Sequence, residues 1–492
     1  MTQAPTETGQ LLDNYVGGRR VAVESDDVLD VHDPATGGVL ARVPLSTPAD
    51  VDRAVDAAQD AFETWSETPV MERARAMFRV QALYEQHFEE LSELIVLENG
   101  KAIQEARGEL RRGIEVIEFA AGMPTLMMGG AVEQVSRGVD TELFRHALGV
   151  VAAITPFNFP AMVPLWTAPI AVASGNTYIL KPSQRTPLSA MRLAELFEEA
   201  GIPPGVVNVV HGAADAVNAI CDHPSIRAVS FVGSAPVAKH VYARCAQAGK
   251  RVQALAGAKN HIVVMPDADL EMAAPGLFSS AFANAGQRCL AGSVGVAVGG
   301  IGDALAERLV DIAKRSSMGT GLDPENAITP VTTNEARRKI AEYIDLGVQE
   351  GARLLVDGRI DGGDGGFFLG PTILDEVTPE MRVAQEEIFG PVLSMERLSS
   401  LEEALEVIKR NEFGNATAIF TRDGGVAREF RRRVTAGMVG INIPVPAAMA
   451  FFPFAGWKGS FYGDLHATGK DGVYFFTESK VVTTRWPRPA PG

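Results

Sequence analysis

Cysteine is scarce in this chain, which holds three in 492 residues, at positions 221, 245 and 289. So few cysteines exclude a disulfide-stapled scaffold, and their wide spacing, with no Cys-x-x-Cys pair, argues against structural zinc or any other metal site. Basic residues are also in the minority, at 45 Lys and Arg against 61 Asp and Glu, which gives a net charge of −16. An acidic chain of this kind is not suited to non-specific binding of nucleic acid or of an anionic membrane.

Uninterrupted apolar runs of bilayer length are missing as well. Residues 147–180 carry no charge, but prolines at positions 156, 160, 164 and 169 break the run. Because lipid cannot satisfy the backbone groups that repeated prolines free, we predict a buried strand, a loop and a helix here. The opening stretch, MTQAPTETGQLLDNYVGG, has neither an apolar signal core nor an Arg-rich amphipathic helix, so we expect a cytoplasmic protein.

Apolar residues are plentiful, at 46% of the chain. This fraction and the length allow large cores in roughly two to four domains. A strand-like lead-in over residues 14–40 precedes three predicted helices. The first begins at Thr47 and Pro48, a pair typical of an N-cap and the first helical residue, the second spans residues 70–99, and the third spans 102–121.

Further along, short β-branched runs alternate with helix-length segments, first before and then after Cys289. The runs lie at residues 150–154, 177–180, 206–210 and 228–232, and then at 294–298, 353–356, 391–395, 417–420 and 438–442. Such alternation is typical of parallel sheets covered by helices on both faces. We therefore predict two α/β domains, with ligands bound at the carboxyl ends of the strands.

Cys289 stands in a polar, glycine-flanked stretch, AGQRCLAG, whereas Cys221 and Cys245 have the surroundings of ordinary buried thiols. A thiol with a pKa of about 8.5 is only slightly ionised at neutral pH, so a nucleophilic cysteine needs nearby positive charge, which Arg288 offers. On local sequence alone, Cys289 is either a nucleophile or one more buried thiol. The turn FVGS (231–234) ends a strand and opens a helix, a place that favours a phosphate.

Five motifs, taken in order and at their separations, resemble the aldehyde dehydrogenase superfamily over nearly the whole chain. They are TPFNFP (155–160), LKPSQRTP (180–187), FVGS (231–234), GQRC (286–289) and EEIFGPV (386–392). The resemblance implies a Rossmann-like nucleotide domain of residues 1–122 and 148–255 and a second α/β, catalytic domain of residues 256–465. It also implies a small β flap, residues 123–147 with 466–492, that assembles a homotetramer.

The same resemblance assigns roles to residues. Cys289 would attack an aldehyde, and the Asn158 side chain with the Cys289 backbone N–H would stabilise the resulting oxyanion. The implied cofactor is NAD, held by Thr155, Phe157, Lys181, Ser183, Gln184, Arg185, Gly233, Ser234, Glu387 and Phe389. Gln184 replaces a glutamate common in NAD-preferring members, and Arg185 could attract a 2′-phosphate, which leaves room for NADP.

One departure from the superfamily's usual residues indicates which branch of the superfamily the sequence resembles. Hydrolytic members carry a Glu that activates the deacylating water, and Leu255 stands at that position here. A leucine cannot accept a proton, whereas a thiol acceptor needs no such base. Together with VQALAGAKNHIVVMPDADLE (252–271), this resembles the methylmalonate-semialdehyde dehydrogenase branch, which uses CoA. The branch oxidises malonate or methylmalonate semialdehyde to acetyl- or propanoyl-CoA with release of CO2, in valine and inositol catabolism.

The substrate that this branch implies carries a carboxylate. Arg112 and Arg288 match the arginines that would bind it, since a guanidinium fits a carboxylate bidentately. Phe159 and Trp166 are predicted walls of the pocket. Two other hypotheses stay open: a non-acylating NAD(P)-dependent aldehyde dehydrogenase that gives a free acid, and an inactive binding or structural homologue.

Overall fold

A computed structural model describes residues 9–23, 25–360 and 365–487. Two large sheets organise the described part of the chain. The first has eight strands, in the spatial order Phe461–Tyr462, Arg251–Leu255, Ile226–Val232, Val150–Ile154, Thr177–Lys181, Val207–Val209, Asn14–Val16 and Arg19–Val21. Its five strands from Arg251–Leu255 to Val207–Val209 are parallel, and antiparallel strands close both edges.

The second sheet has seven strands. In spatial order they are Arg353–Val356, Thr372–Asp375, Val392–Leu398, Val294–Val298, His261–Val264, Ala416–Phe420 and Met438–Ile441. All are parallel except the Arg353–Val356 edge strand. Every residue of Val150–Ile154 and of Val294–Val298 is buried, as expected for strands covered on both faces. The predicted strand–helix alternation is thus confirmed in both halves.

Three small sheets complete the β-structure of the described residues. One joins Gln10–Leu11, Val39–Pro44 and Val28–His32, and another joins Phe413–Gly414 and Trp457–Lys458. The third joins Thr477–Arg485, Val139–Ala147 and Gly130–Ser136, so that the strands of the predicted flap lie side by side. The predicted domain boundaries stay a prediction.

The helices cover the faces of the two large sheets. They are Pro48–Trp65, Val70–Gln86, Phe88–Asn99, Ile103–Ala121, Met123–Leu126, Met162–Ala173, Leu188–Glu199, Ala214–Asp222, Ala235–Gln247, Leu270–Phe282, Gly302–Arg315, Asn334–Gln349, Arg382–Gln385, Leu401–Arg410, Gly424–Arg433 and Gly469–Phe475, with short 3₁₀ turns at Ala283–Gly286 and Gly299–Ile301.

The prediction of one helix over residues 70–99 is wrong. The chain leaves helical geometry at His87 (φ −99°, ψ 17°), and a second helix starts at Phe88. Glycine and proline do not occur at this break, so the sequence offered no stop signal. The predicted first helix is confirmed, with Thr47 as its N-cap, and so is the third.

The uncharged stretch over residues 147–180 folds as predicted. It forms the strand Val150–Ile154, a loop, the helix Met162–Ala173 and the strand Thr177–Lys181, nearly all of them buried. Among the described residues, no helix combines the length and the apolar character needed to cross a bilayer.

Candidate active site

A cleft of about 1830 Å³ opens at the carboxyl ends of the first sheet's strands. It brings together most of the residues that the sequence predicted for catalysis, for cofactor binding and for the substrate pocket. Its lining includes Thr155, Phe157, Asn158, Phe159, Trp166, Lys181, Ser183, Gln184, Arg185, Gly233, Ser234, Cys289, Glu387 and Phe389. Arg112 and Arg288 are not among the lining residues. Within the described ranges, no three His, Cys, Asp or Glu side chains are grouped so as to hold a metal ion.

The loop before Cys289 takes an unusual course. Asn284 and Ala285 have left-handed backbones (φ 52° and 50°), and Gly286 continues them at φ 68°. A Cβ at Gly286 would lie 2.2 Å from the carbonyl oxygen of Gly390, so no larger residue fits there. Non-glycine residues rarely adopt this conformation, and such strain is typically kept at functional sites. The result is a sharp turn that leads into Cys289 at the wall of the cleft.

Amide side chains fix Cys289 and the neighbouring loop. The carbonyl oxygen of Cys289 accepts hydrogen bonds from Asn260 Nδ2 at 2.9 Å and Asn415 Nδ2 at 2.8 Å. Asn158 Nδ2 donates to the carbonyl oxygen of Gln287 at 2.9 Å. The predicted oxyanion donor thus lies against the loop that carries the predicted nucleophile. An amide donor that lines the same cleft as a thiol is suited to stabilising a tetrahedral oxyanion.

The thiol of Cys289 is far from ionised at neutral pH. Burial raises the pKa of Cys289 to about 12, and the nearby Glu387 charge adds to this effect. Arg288 acts in the opposite direction, as predicted, but its effect is smaller than that of burial. Arg288 Nη2 donates to the carbonyl oxygens of Ser279 and Ser280 at 2.7 and 2.9 Å, so this nitrogen also ties down the loop.

Leu255 lies at the end of its strand and is buried. It belongs to the same apolar cluster against which Cys289 packs, together with Trp166 and Leu290. The position at which hydrolytic relatives would carry a base is therefore apolar here. Glu387 approaches the segment after Leu255 from the other side of the cleft, where its Oε1 accepts the N–H of Ala258 at 2.9 Å.

Several groups in the cleft suit a dinucleotide. Lys181 ends a central strand, and burial lowers its pKa to about 8. Ser234 is the N-cap of helix Ala235–Gln247, and among the described residues its hydroxyl makes no capping bond, so the first-turn N–H groups remain available to a phosphate. Gly233 is required, because a Cβ there would lie 2.5 Å from the Phe231 ring.

Aromatic contacts arrange the rest of this region. The rings of Phe157 and Phe389 meet edge to face at 5.8 Å. The Arg185 guanidinium lies over the Phe157 ring at 5.2 Å and 3.6 Å from the carboxylate of Glu335. Arg185 is therefore already engaged by an aromatic face and by a carboxylate.

Aromatic side chains form the part of the cleft wall that is predicted to meet the substrate. The Trp166 ring packs on Phe454 at 4.7 Å, and Phe159 lies beside it on the cleft wall. Arg112 lies outside the wall, where its guanidinium donates to Glu115 at 2.9 Å and contacts the Met449 sulfur at 3.0 Å. Its side chain is 42% exposed. Its role in carboxylate binding stays a prediction.

Sequence reasoning missed two charged residues behind the Asn158 loop, Lys101 and Glu109, whose side chains are wholly buried. One feature of the sequence does indicate that Glu109 is buried. Glu109 falls in helical register with the buried residues Ala106, Leu110 and Gly113, on the inner face of its helix. A carboxylate at such a position needs a buried partner, and Lys101 is that partner.

Comparison with known proteins identifies the family. The aldehyde dehydrogenase family matches residues 21–482. The chain belongs to this family. It is 57% identical, over 97% of this chain and 98% of the relative, to malonate-semialdehyde dehydrogenase 1 of Geobacillus kaustophilus (strain HTA426).

Solved structures share the fold over nearly the whole chain. The methylmalonate-semialdehyde dehydrogenase DddC of Oceanimonas doudoroffii is 46% identical, with a TM-score of 0.96 and coverage of 98% of this chain and 99% of that one. PnpE from Pseudomonas sp. WBC-3 is 33% identical, and its structure in complex with nicotinamide adenine dinucleotide matches with a TM-score of 0.93 over 99% of both chains. The predicted aldehyde dehydrogenase fold and family are confirmed.

Proposed function

We propose that this aldehyde dehydrogenase oxidises malonate or methylmalonate semialdehyde with NAD and transfers the acyl group to CoA. The observation that carries the proposal is that Cys289 and Asn158 line one cleft, while an apolar Leu255 stands where hydrolysis would need a base. Relatives of this chain named for these two semialdehydes support the choice of substrate.

The chain's own residues perform the first steps. The Cys289 thiol gives its proton to water in the open cleft, and its sulfur attacks the aldehyde carbon to form a thiohemiacetal. The Asn158 amide exchanges its bond to Gln287 for one to the new oxyanion, and the Cys289 N–H provides the second donor. NAD held in the cleft would supply the acceptor for the hydride that this carbon loses as the thiohemiacetal becomes a thioester. Lys181, Ser234 and Glu387 are the residues proposed to hold the cofactor.

The thioester then needs an acceptor. With Leu255 in place of a general base, water loses a contribution of about 10²–10⁴-fold, whereas a CoA thiolate attacks without that help. Loss of the substrate's carboxylate as CO2 leaves acetyl- or propanoyl-CoA as the product. We assign binding of that carboxylate to Arg112 and Arg288, because a guanidinium is the side chain best matched to it.

For the cofactor we propose a preference for NAD over NADP. Gln184 removes a repulsive carboxylate, which would permit a 2′-phosphate. Arg185, the cation best placed to bind such a phosphate, is held by Phe157 and Glu335 instead. A phosphate would have to compete for it with a carboxylate already present.

We further propose a homotetramer (a dimer of dimers) in the cytoplasm, serving valine and inositol catabolism. The three-stranded sheet of the flap exposes Val132, Val135, Phe144 and Val481, each at 45% or more of its surface. Val132 and Val481 lie on the same face of this sheet, because they pair with Thr141 and Leu143, which are two residues apart. Exposed apolar side chains that share a face of a small sheet are typical of an interface between subunits.

The test is an assay of NADH formation with each semialdehyde, with CoA present or omitted, followed by mass analysis of the products. Steady-state NADH formation that depends on CoA, with acetyl- or propanoyl-CoA as the product, supports the proposal. Rapid steady-state turnover to a free acid without CoA would identify a non-acylating dehydrogenase, and absence of NADH from a folded protein would identify an inactive homologue.

A further inference from the structure

A buried ion pair lies directly behind the loop that carries Asn158. Lys101 Nζ is 2.5 Å from Glu109 Oε2, and neither side chain reaches solvent. The Lys101 ammonium also donates to the carbonyl oxygen of Asn158 at 2.7 Å and lies 4.2 Å from the centre of the Phe159 ring. Lys101 is therefore bonded on one side to a carboxylate and on the other to the residue that supplies the oxyanion donor.

Glu109 fixes the other end of the same loop. Its Oε1 accepts the N–H groups of Ala161 at 2.9 Å and Met162 at 3.0 Å. One carboxylate oxygen thus holds the end of the loop, while the other holds Lys101, which in turn holds Asn158. The segment 158–162 is fastened at both ends by a single ion pair.

The loop that carries Cys289 is joined to this arrangement through amides. Asn284 Nδ2 donates to the Asn158 carbonyl oxygen at 3.2 Å, alongside Lys101. Gln287, whose carbonyl accepts from Asn158, is itself held by Thr332, since its Oε1 accepts both the N–H and the hydroxyl of that residue at 3.0 Å. A shift of the Asn158 backbone would therefore alter the distance between the oxyanion donor and the nucleophile.

An ion pair is a poor choice for stability alone. Removing two charges from water costs free energy that their attraction barely recovers, and an apolar pair of the same volume often stabilises a fold as well or better. Charged hydrogen bonds are, however, short and directional, and they fix a backbone where apolar contacts would let it slide. The bonds of this pair to the Asn158 loop are the feature that an apolar pair could not reproduce.

We infer that Lys101 and Glu109 are positioning residues, which hold Asn158 so that its side-chain amide meets the oxygen of the reacting aldehyde. The inference rests on the proposed chemistry at Cys289 and extends it to residues that do not touch the substrate. It predicts that the Lys101–Glu109 pair influences catalysis only while Asn158 is present.

A double-mutant cycle tests this prediction. The rate of the NADH burst is measured for Lys101→Met, Asn158→Ala and the combination. Asn158→Ala is expected to slow the burst about 10²–10³-fold, as for loss of one oxyanion donor. Lys101→Met is expected to slow it about 10-fold or more in the wild-type background but less than about twofold when Asn158 is already absent. NADH affinity should remain unchanged in all three variants.

Arg73→Met serves as the matched control. Arg73 is also a buried cation that donates to a backbone carbonyl, that of Ala173 at 3.0 Å, and within the described residues none of its hydrogen bonds reaches the 158–162 loop. This variant should lose thermal stability without slowing the burst. Lys101→Met with Glu109→Gln, which leaves no unpaired buried charge, keeps the test possible should Lys101→Met alone fail to fold.

Two results would overturn the inference. One is an equal loss from Lys101→Met with and without Asn158, and the other is a loss of the same size in Arg73→Met. Either would make the pair a structural element only. A wild-type enzyme that forms no NADH from any aldehyde would contradict the proposed function instead, so the two failures are distinguishable.

Discussion

The Glu387 carboxylate accepts the backbone N–H of Ala258 at 2.9 Å, which lays it along the segment that follows Leu255. Gly257 makes this approach possible, since a Cβ there would lie 2.8 Å from the other carboxylate oxygen. Burial raises the pKa of Glu387 to about 7, and its charge in turn raises the pKa of Cys289. The carboxyl group and the thiol therefore titrate as linked groups.

Replacing Glu387 with Gln is expected to speed alkylation of Cys289 by iodoacetamide above pH 7. The carboxyl group is charged only above its pKa of about 7, and only there does it oppose formation of the thiolate. The gain at pH 9 should be roughly 2- to 10-fold, with little difference at pH 6. Mass analysis of the labelled residue gives the rates, and an equal ratio at both pH values would contradict the linkage.

Replacement of each of the three cysteines by alanine should have different effects on activity. Cys289→Ala is expected to abolish NADH formation, because Cys289 lines the cleft. Cys221→Ala and Cys245→Ala should retain most activity, since both side chains are buried in an apolar cluster that does not contain Cys289. Steady-state assays of the purified variants, with thermal unfolding as the check on folding, decide the matter. Substantial turnover by folded Cys289→Ala would rule out the covalent route.

Arg112→Ala is expected to damage turnover of acidic semialdehydes selectively. In the structure Arg112 pairs with Glu115 on a partly exposed helix face, and such pairs are weak enough for a substrate carboxylate to displace. Loss of a charge-assisted bond should cost about 1.5–3 kcal/mol, or roughly 10–150-fold in kcat/KM. Propanal is the uncharged control. Equal losses for both aldehydes would leave Arg112 with a structural role.

Without CoA, rapid mixing should show a burst of NADH close to one equivalent per active site, followed by slow release of acid. The burst is expected because the thioester forms on Cys289 while apolar Leu255 offers water no base. CoA should accelerate the slow phase and appear as a thioester. A linear, fast progress curve without CoA would contradict this scheme.

The Leu255→Glu variant provides a second, less decisive test of the role of Leu255. It restores a carboxylate at the position where hydrolytic members have one, and hydrolysis of the thioester should increase. The new acid would be buried beside Trp166 and Leu290, however, and burial raises the pKa of a carboxyl group and holds it protonated. An increase in acid release only at high pH is the expected pattern.

Much of the fold and most of the cleft could be predicted because short-range patterns encode them. The apolar runs that form the strands Val150–Ile154 and Val294–Val298 contain no polar side chain, so their burial could be predicted from their composition alone. The motifs around Asn158, Lys181 and Ser234 each end a strand or open a helix, and parallel sheets bring such ends together.

What escaped prediction depends on partners that are distant in the chain. The break at His87 has no local stop signal, since neither glycine nor proline lies there. Burial of Lys101 is set by Glu109 and by the Asn158 carbonyl, which no periodicity around Lys101 reveals. The location of Arg112 depends on Met449, from a loop near the other end of the described chain.

The Phe461–Tyr462 strand completes the first sheet by pairing with Arg251–Leu255. During synthesis every strand of the second sheet leaves the ribosome before this edge strand does. Until then the Arg251–Leu255 edge presents unpaired backbone groups, which are templates for pairing with another chain. The chain order therefore leaves this edge without its closing strand until the strands of the second sheet have been made, and pairing with another chain there is a risk for the nascent protein in this interval.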